Sequence, residues 1–174
     1  MVSNIFFRIR SCLRAFLTCA HVHPIPFPIK RIGTEYGGWH FAVTDTLNNS
    51  SVVSCGAGED ISFDIGLASA FNTRVLIVDP TPRAVEHINL VQRRFGLPSS
   101  LPFSSTGLQF PESYDLTSVT SFNITHAPFA VWNVSQKVRF FEPADSSKVS
   151  HSIINFKNKY RSDTSYFFVD SLKK

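Results

Sequence analysis

Gly56-Ala57-Gly58, followed at once by Glu59 and Asp60 and then, 21 residues after Gly58, by Asp79, have types and spacing that fit one chemical task, the holding of a nucleoside. Glycines lack a Cβ, so the backbone turns sharply there and a ligand reaches the main chain. A helix that opens just after such a loop aims unpaired amides and its positive end toward it. Glu59 and Asp60 stand at that helix's start, where negative charge also serves for capping alone. Asp79 offers two acceptor oxygens to the hydroxyls of a ribose lying across from the loop. Taken singly, Asp79 also reads as a surface acid that begins the turn into Pro80-Thr81-Pro82. Ile61 occupies the position where dinucleotide-binding loops place a third glycine for close helix and strand packing beside a pyrophosphate. The acids Glu59 and Asp60 would repel a pyrophosphate but tolerate a sulfonium, so the pattern predicts S-adenosylmethionine rather than NAD.

These residues need a parallel α/β frame to bring them together. Ser51-Val52-Val53-Ser54-Cys55 is a short β-branched run and predicts a strand that leads directly into the glycines. Residues 60–71 are helix-like, Arg74 to Asp79 form a second strand, and Pro82 to Phe95 a second helix. Proline at a first helical position loses no hydrogen bond, and Gly96-Leu97-Pro98 stops that helix. In a doubly wound sheet the ends of two adjacent strands are neighbours, which places Asp79 beside the loop. Residues 97–117 are rich in Ser and Pro and predict a long loop. Strands are expected around Val119–Ile124, Val138–Phe141 and Tyr166–Val169, with a turn and an ambiguous segment over 143–160.

The chain divides into residues 1–33 and a compact domain over 34–174, opened by the turn and anchoring aromatic of Tyr36-Gly37-Gly38-Trp39. In the first part Ile5, Ile9, Leu13, Phe16 and Leu17 share one side of a helix, with Arg10 and Arg14 opposite. Three roles are open to this basic amphipathic segment over residues 3–20: a helix packed on the domain, contact with a membrane surface, or an organelle-targeting segment. It is too short and too charged to span a bilayer. The prolines of His23-Pro24-Ile25-Pro26-Phe27-Pro28 then impose an extended linker.

The net charge of +4 comes from this front part: Arg8, Arg10, Arg14, Lys30 and Arg31 all precede the first acid, Glu35. The remainder is nearly balanced, which argues against nucleic acid as a partner. Cys12, Cys19 and Cys55 match neither a disulfide framework nor a zinc site and point to a reduced, cytoplasmic setting. Glycosylation-type triplets at Asn48, Asn49, Asn123 and Asn133 are discounted as chance. No metal site is expected, since His21 and His23 lack a third ligand at suitable spacing.

Tyr36-Gly37-Gly38-Trp39, the run from Ser51 through Cys55-Gly56-Ala57-Gly58-Glu59-Asp60-Ile61-Ser62-Phe63-Asp64, and Val78-Asp79-Pro80-Thr81-Pro82-Arg83 resemble the FkbM-type methyltransferases, in their "GxGEDISFD … DPTP" branch. Val138-Arg139-Phe140-Phe141-Glu142-Pro143 and Val149-Ser150-His151-Ser152 are similar to a later block of that branch. The resemblance covers roughly residues 34–172. It implies a Rossmann-like fold that binds S-adenosylmethionine and moves its methyl group to a small acceptor, typically a sugar hydroxyl. It also implies a cofactor site of Cys55, Gly56, Gly58, Glu59, Asp60, Asp79 and Pro80, with the loop at the methionine end and Asp79 at the ribose. His151, between Ser150 and Ser152, is the candidate general base; the alternative is a hydrogen bond that stabilises its loop. Members of the branch continue past a segment like Phe167–Leu172 into "LKxDIEGAE" and further strands. Here the chain ends at Lys174, so the expectation is an incomplete sheet whose unpaired edge favours self-association.

Overall fold

The computed structural model describes residues 27–145, 147–155 and 160–170. The segment expected to form an amphipathic helix over residues 3–20 lies outside them. The architecture is mixed α/β, with a parallel sheet at its centre. β1 (Ile29–Ile32) and β2 (Trp39–Ala42) form an antiparallel pair, and β3 (Ser51–Cys55) follows. Helix α1 (Ser62–Phe71) leads to β4 (Arg74–Val78), and helix α2 (Pro82–Gln92) leads through a long connection to β5 (Ile124–Ala127). The strands β3, β4 and β5 pair in that order, both pairs parallel, and β3 forms one edge. A separate sheet contains β6 (Ala130–Val131), β8 (Tyr160–Asp170) and β7 (Gln136–Pro143), with β8 in the middle.

The core lies on one face of the parallel sheet. Val75 and Ile77 of β4 and Ile124 of β5 are buried there against Ile65, Leu67 and Ala68 of α1 and Ile88 and Val91 of α2. Each such Val, Leu or Ile side chain contributes about 1.5–3 kcal/mol through its burial. On the opposite face, Val53 of β3 remains 49% exposed. Gly66 lets α1 close on β1, since a Cβ there would come within 2.2 Å of Ile32 Cγ2.

Local chemistry sets the element ends. Asn72 adopts φ 50° after α1, a left-handed stop that a short polar side chain tolerates. Helix α2 ends at Gln92 rather than at Phe95, because the main chain turns there. Gly96 then donates to the Leu116 carbonyl at 2.9 Å, and the Leu116 amide to Leu97 at 3.0 Å.

The strand expected at Val119–Ile124 starts five residues later, at Ile124, as β5. Val119 is fully buried in a turn, and Asn123 Oδ1 accepts from the Thr120 amide and hydroxyl, so these residues leave the ladder. Asn123 is itself buried, which removes it as an accessible glycosylation acceptor. The short strands expected at Val138–Phe141 and Tyr166–Val169 belong to the longer antiparallel pair β7 and β8, the first at the centre of β7 and the second near the C-terminal end of β8. β1 precedes the domain boundary placed at residue 34. Its side chains, apart from Ile32, are exposed, so it carries little apolar pattern. No helix among the described residues is long and apolar enough to cross a membrane.

Candidate functional site

The carboxyl ends of β3 and β4 open into a cleft of about 540 Å³. Its lining includes Cys55, Gly56, Gly58, Asp79, Pro80 and His151, six of the eight residues expected from the sequence. Gly56 has φ 85° and Gly58 φ 57°, conformations that glycine adopts without a Cβ penalty. Space beside Gly56 is open, with no atom within 4 Å of where a Cβ would stand. The Cys55 thiol is free and exposed.

Asp79 sits at the end of β4, opposite the loop, as expected. Its Oδ2 accepts from the amides of Ala57 at 2.7 Å and Gly58 at 3.1 Å, and Oδ1 from the Thr81 amide at 2.8 Å and hydroxyl at 2.6 Å. A carboxylate has about four lone-pair sites, so Asp79 is saturated by its own chain. It ties the glycine loop to the start of α2.

Glu59 and Asp60 belong to other partnerships and do not line this cleft. Glu59 forms a two-pronged ion pair with Arg83 through both carboxylate oxygens. Asp60 is buried, accepts from the Thr34 hydroxyl at 2.6 Å, and caps α1 by accepting from the Ser62 amide at 3.0 Å. Both acids hold the loop's flanks to distant chain.

His151 donates from Nδ1 to the Val149 carbonyl at 3.0 Å and stands edge-on to Phe167, with ring centroids 5.3 Å apart. A carbonyl only accepts, so Nδ1 carries the proton and the neutral ring keeps its lone pair on Nε2. The loop-stabilising bond thus engages Nδ1 and leaves Nε2 out of it. Val149 fixes the segment against the glycine loop, 3.2 Å from where a Gly58 Cβ would be. Tyr36 and Thr81 also line the cleft. Tyr36 stands out in the sequence only as part of a turn, and nothing in its spacing marks it as a lining residue.

Behind the loop lies a buried polar group with no counterpart in the sequence pattern. Tyr114 is fully buried; its hydroxyl accepts from the Ile61 amide at 3.2 Å and lies 2.9 Å from His87 Nε2. The hydroxyl keeps a second lone pair after accepting from Ile61, so the tautomer of His87 sets which of the two donates in their shared hydrogen bond. Burial lowers the His87 pKa and raises that of Tyr114.

Asp64, on the first turn of α1, is 4% exposed, and its Oδ1 has no hydrogen-bond partner. Burial pushes its carboxyl up to about 6 from 3.8, against the lowering effect of the Ser54 hydroxyl. Because the folded pKa is raised, Asp64 costs stability above pH 6, and that cost, about 3 kcal/mol, disappears as pH falls toward 3.8. His87 has the opposite sign, since its neutral form is favoured by folding and stability is lost as pH drops below 6.5. Asp64→Asn is expected to raise stability at pH 8 by about 1–3 kcal/mol. It should also steepen the loss between pH 6.5 and 5, as read by urea denaturation at each pH. An unchanged pH profile would contradict the role given to Asp64.

Comparison of the chain with protein-family models, with curated proteins and with solved structures finds no match. The fold and site define a class by geometry alone: a mixed α/β domain with a cleft over a glycine loop at the ends of parallel strands. In such sheets ligands bind outside the carboxyl ends of the strands.

Proposed function

We propose that the cleft over Gly56–Gly58 binds S-adenosylmethionine. On this reading the chain is a Rossmann-like S-adenosylmethionine-dependent methyltransferase, or the cofactor-binding part of one, acting on the hydroxyl of a sugar or another small acceptor. The observation that carries the proposal is the convergence of both positive-φ glycines at the end of β3 with Asp79 at the end of adjacent β4, around one cleft. The open space beside Gly56 fits a ligand that packs on the main chain. Cys55, Gly56 and Gly58 would hold the methionine end, and Asp79 and Pro80 the ribose.

When bound, S-adenosylmethionine supplies an electrophilic methyl carbon on a sulfonium sulfur. His151 Nε2, with its lone pair free, takes up the proton of the acceptor hydroxyl. Asp79 holds the loop in its turned conformation and accepts a ribose hydroxyl as the Thr81 hydroxyl rotates away from Oδ1.

The competing reading is a noncatalytic remnant of the same fold that binds a nucleoside or a partner chain. It is favoured by the saturation of Asp79 and by the engagement of Glu59 and Asp60 with Arg83 and Thr34.

A matched pair of substitutions tests the cleft. Gly56 and Gly96 share φ values of 85° and 86°, and both have open surroundings, but only Gly56 lines the cleft. Gly56→Ala and Gly96→Ala should lose similar stability, about 1–2 kcal/mol each. Only Gly56→Ala should weaken S-adenosylhomocysteine, by about tenfold. Equal affinities for the two variants would place the ligand elsewhere.

A further inference from the structure

A second cleft, of about 580 Å³, adjoins the first and shares Tyr36, Val149 and Ser150 with it. Methyl transfer requires the acceptor to adjoin the donor, which makes a shared wall the relevant feature. The cleft along α2 at Val85 and Glu86 and the one at Gly33 and Ser62 share no lining with the cofactor cleft. Tyr36 is seated on Gly107, where a Cβ would come within 2.5 Å of its Cε1, and the residue remains 69% exposed. That ring and the side chains of Leu108 and Val149 give the second cleft an apolar side.

The polar groups of this cleft divide into those already engaged and those that are not. Glu59 is taken up by Arg83, the Thr106 hydroxyl by the Leu108 carbonyl and Ser104, and the Ser147 hydroxyl by Asp145 Oδ1. The Asp145 carboxylate is further occupied by the Ser147 amide. Lys148 is exposed and, among the described residues, has no carboxylate within ion-pair distance. With the Arg83 charge balanced by Glu59, the net charge of the lining is the ammonium of Lys148, which acts at longer range on the Asp145 carboxylate outside the lining. The hydroxyls of Tyr36 and Ser150 stand on the shared wall, and His151 follows Ser150 directly.

We infer that this second cleft is the acceptor site, and that the acceptor is a small hydroxylated anion whose carboxylate or phosphate is met by Lys148. The inference rests on the cofactor reading above. The anionic group anchors one end of the acceptor on a charge-assisted hydrogen bond, its carbon face lies along Tyr36 and Leu108, and a hydroxyl reaches toward His151. Lys148 acts as a binding residue and takes no part in proton transfer.

Calorimetric titrations of the whole chain, saturated with S-adenosylhomocysteine, test this with glucose, glucuronate and glucose 6-phosphate as probes. At least one of the two anions should bind about tenfold or more tightly than glucose. The better anion identifies the carboxylate or the phosphate as the recognised group. Lys148→Gln should bring that anion down to the level of glucose and leave S-adenosylhomocysteine affinity unchanged. Lys137→Gln, which removes the same charge from an exposed position on β7 outside the cleft, should leave anion binding as it was. Equal binding of glucose and both anions, no anion binding, or the same response in both lysine variants would overturn the acceptor site while the cofactor reading stood. Loss of S-adenosylhomocysteine binding by the unmodified chain would overturn both.

Discussion

Asp79→Ala should destabilise the domain by about 2–4 kcal/mol and abolish binding of S-adenosylhomocysteine. The substitution removes the acceptors of four hydrogen bonds at once, from the amides of Ala57, Gly58 and Thr81 and from the Thr81 hydroxyl. Donors left without a partner where water reaches poorly each carry a desolvation cost, and Asp79 is 5% exposed. The glycine loop would lose the group that fixes its turn, and with it the amide arrangement that lines the cleft. Asp79→Asn keeps one oxygen and sets its amide donors against N–H groups, so an intermediate loss is expected. Urea denaturation gives the stability effect, and calorimetry at a temperature where each variant is folded gives the ligand effect. A variant as stable as the parent would show that the carboxylate does not organise the loop. A folded Asp79→Ala variant that binds at parental affinity would remove Asp79 from the site.

The second large effect is expected at Tyr114, which supports the loop from behind. Tyr114→Ala should cost about 3–5 kcal/mol, the scale for deleting a fully buried aromatic ring. The ring makes edge contacts with His87 and Phe103, at centroid separations of 5.7 Å for both. Tyr114→Phe preserves that packing but leaves the Ile61 amide and His87 Nε2 without their partner, at about 1–3 kcal/mol. The difference between the two variants separates ring packing from hydrogen bonding. Equal losses would mean that the hydroxyl alone matters, and no loss in Tyr114→Phe would dismiss the hydrogen-bonded chain from Ile61 to His87.

The corner from Ser51 to Arg83 was legible in the sequence because its signals are local. A β-branched run, two glycines, an apolar helical stretch and a second apolar strand each depend on neighbours in the chain. The partners of the acids were not legible. Glu59 meets Arg83 at a separation of 24 residues and Asp60 meets Thr34 at 26, and carboxylates placed at a helix start look the same whether they face a ligand or their own chain. The group formed by Ile61, Tyr114 and His87 is likewise assembled across long separations. β1 escaped notice because an exposed short strand shows almost no alternation, and β5 was displaced because Asn123 and Thr120 close a turn within the apolar run used to place it. His151 lines the cleft, but its bond to Val149, which engages Nδ1, depends on loop geometry alone.

Titration calorimetry of the unmodified chain with S-adenosylhomocysteine and, separately, with NAD tests the account most directly. The geometry of Gly56, Gly58 and Asp79, with Ile61 in place of a third glycine, predicts saturable one-to-one binding of S-adenosylhomocysteine and none of NAD. Absence of heat with S-adenosylhomocysteine under conditions where the chain is folded, or binding of NAD in its place, would contradict it.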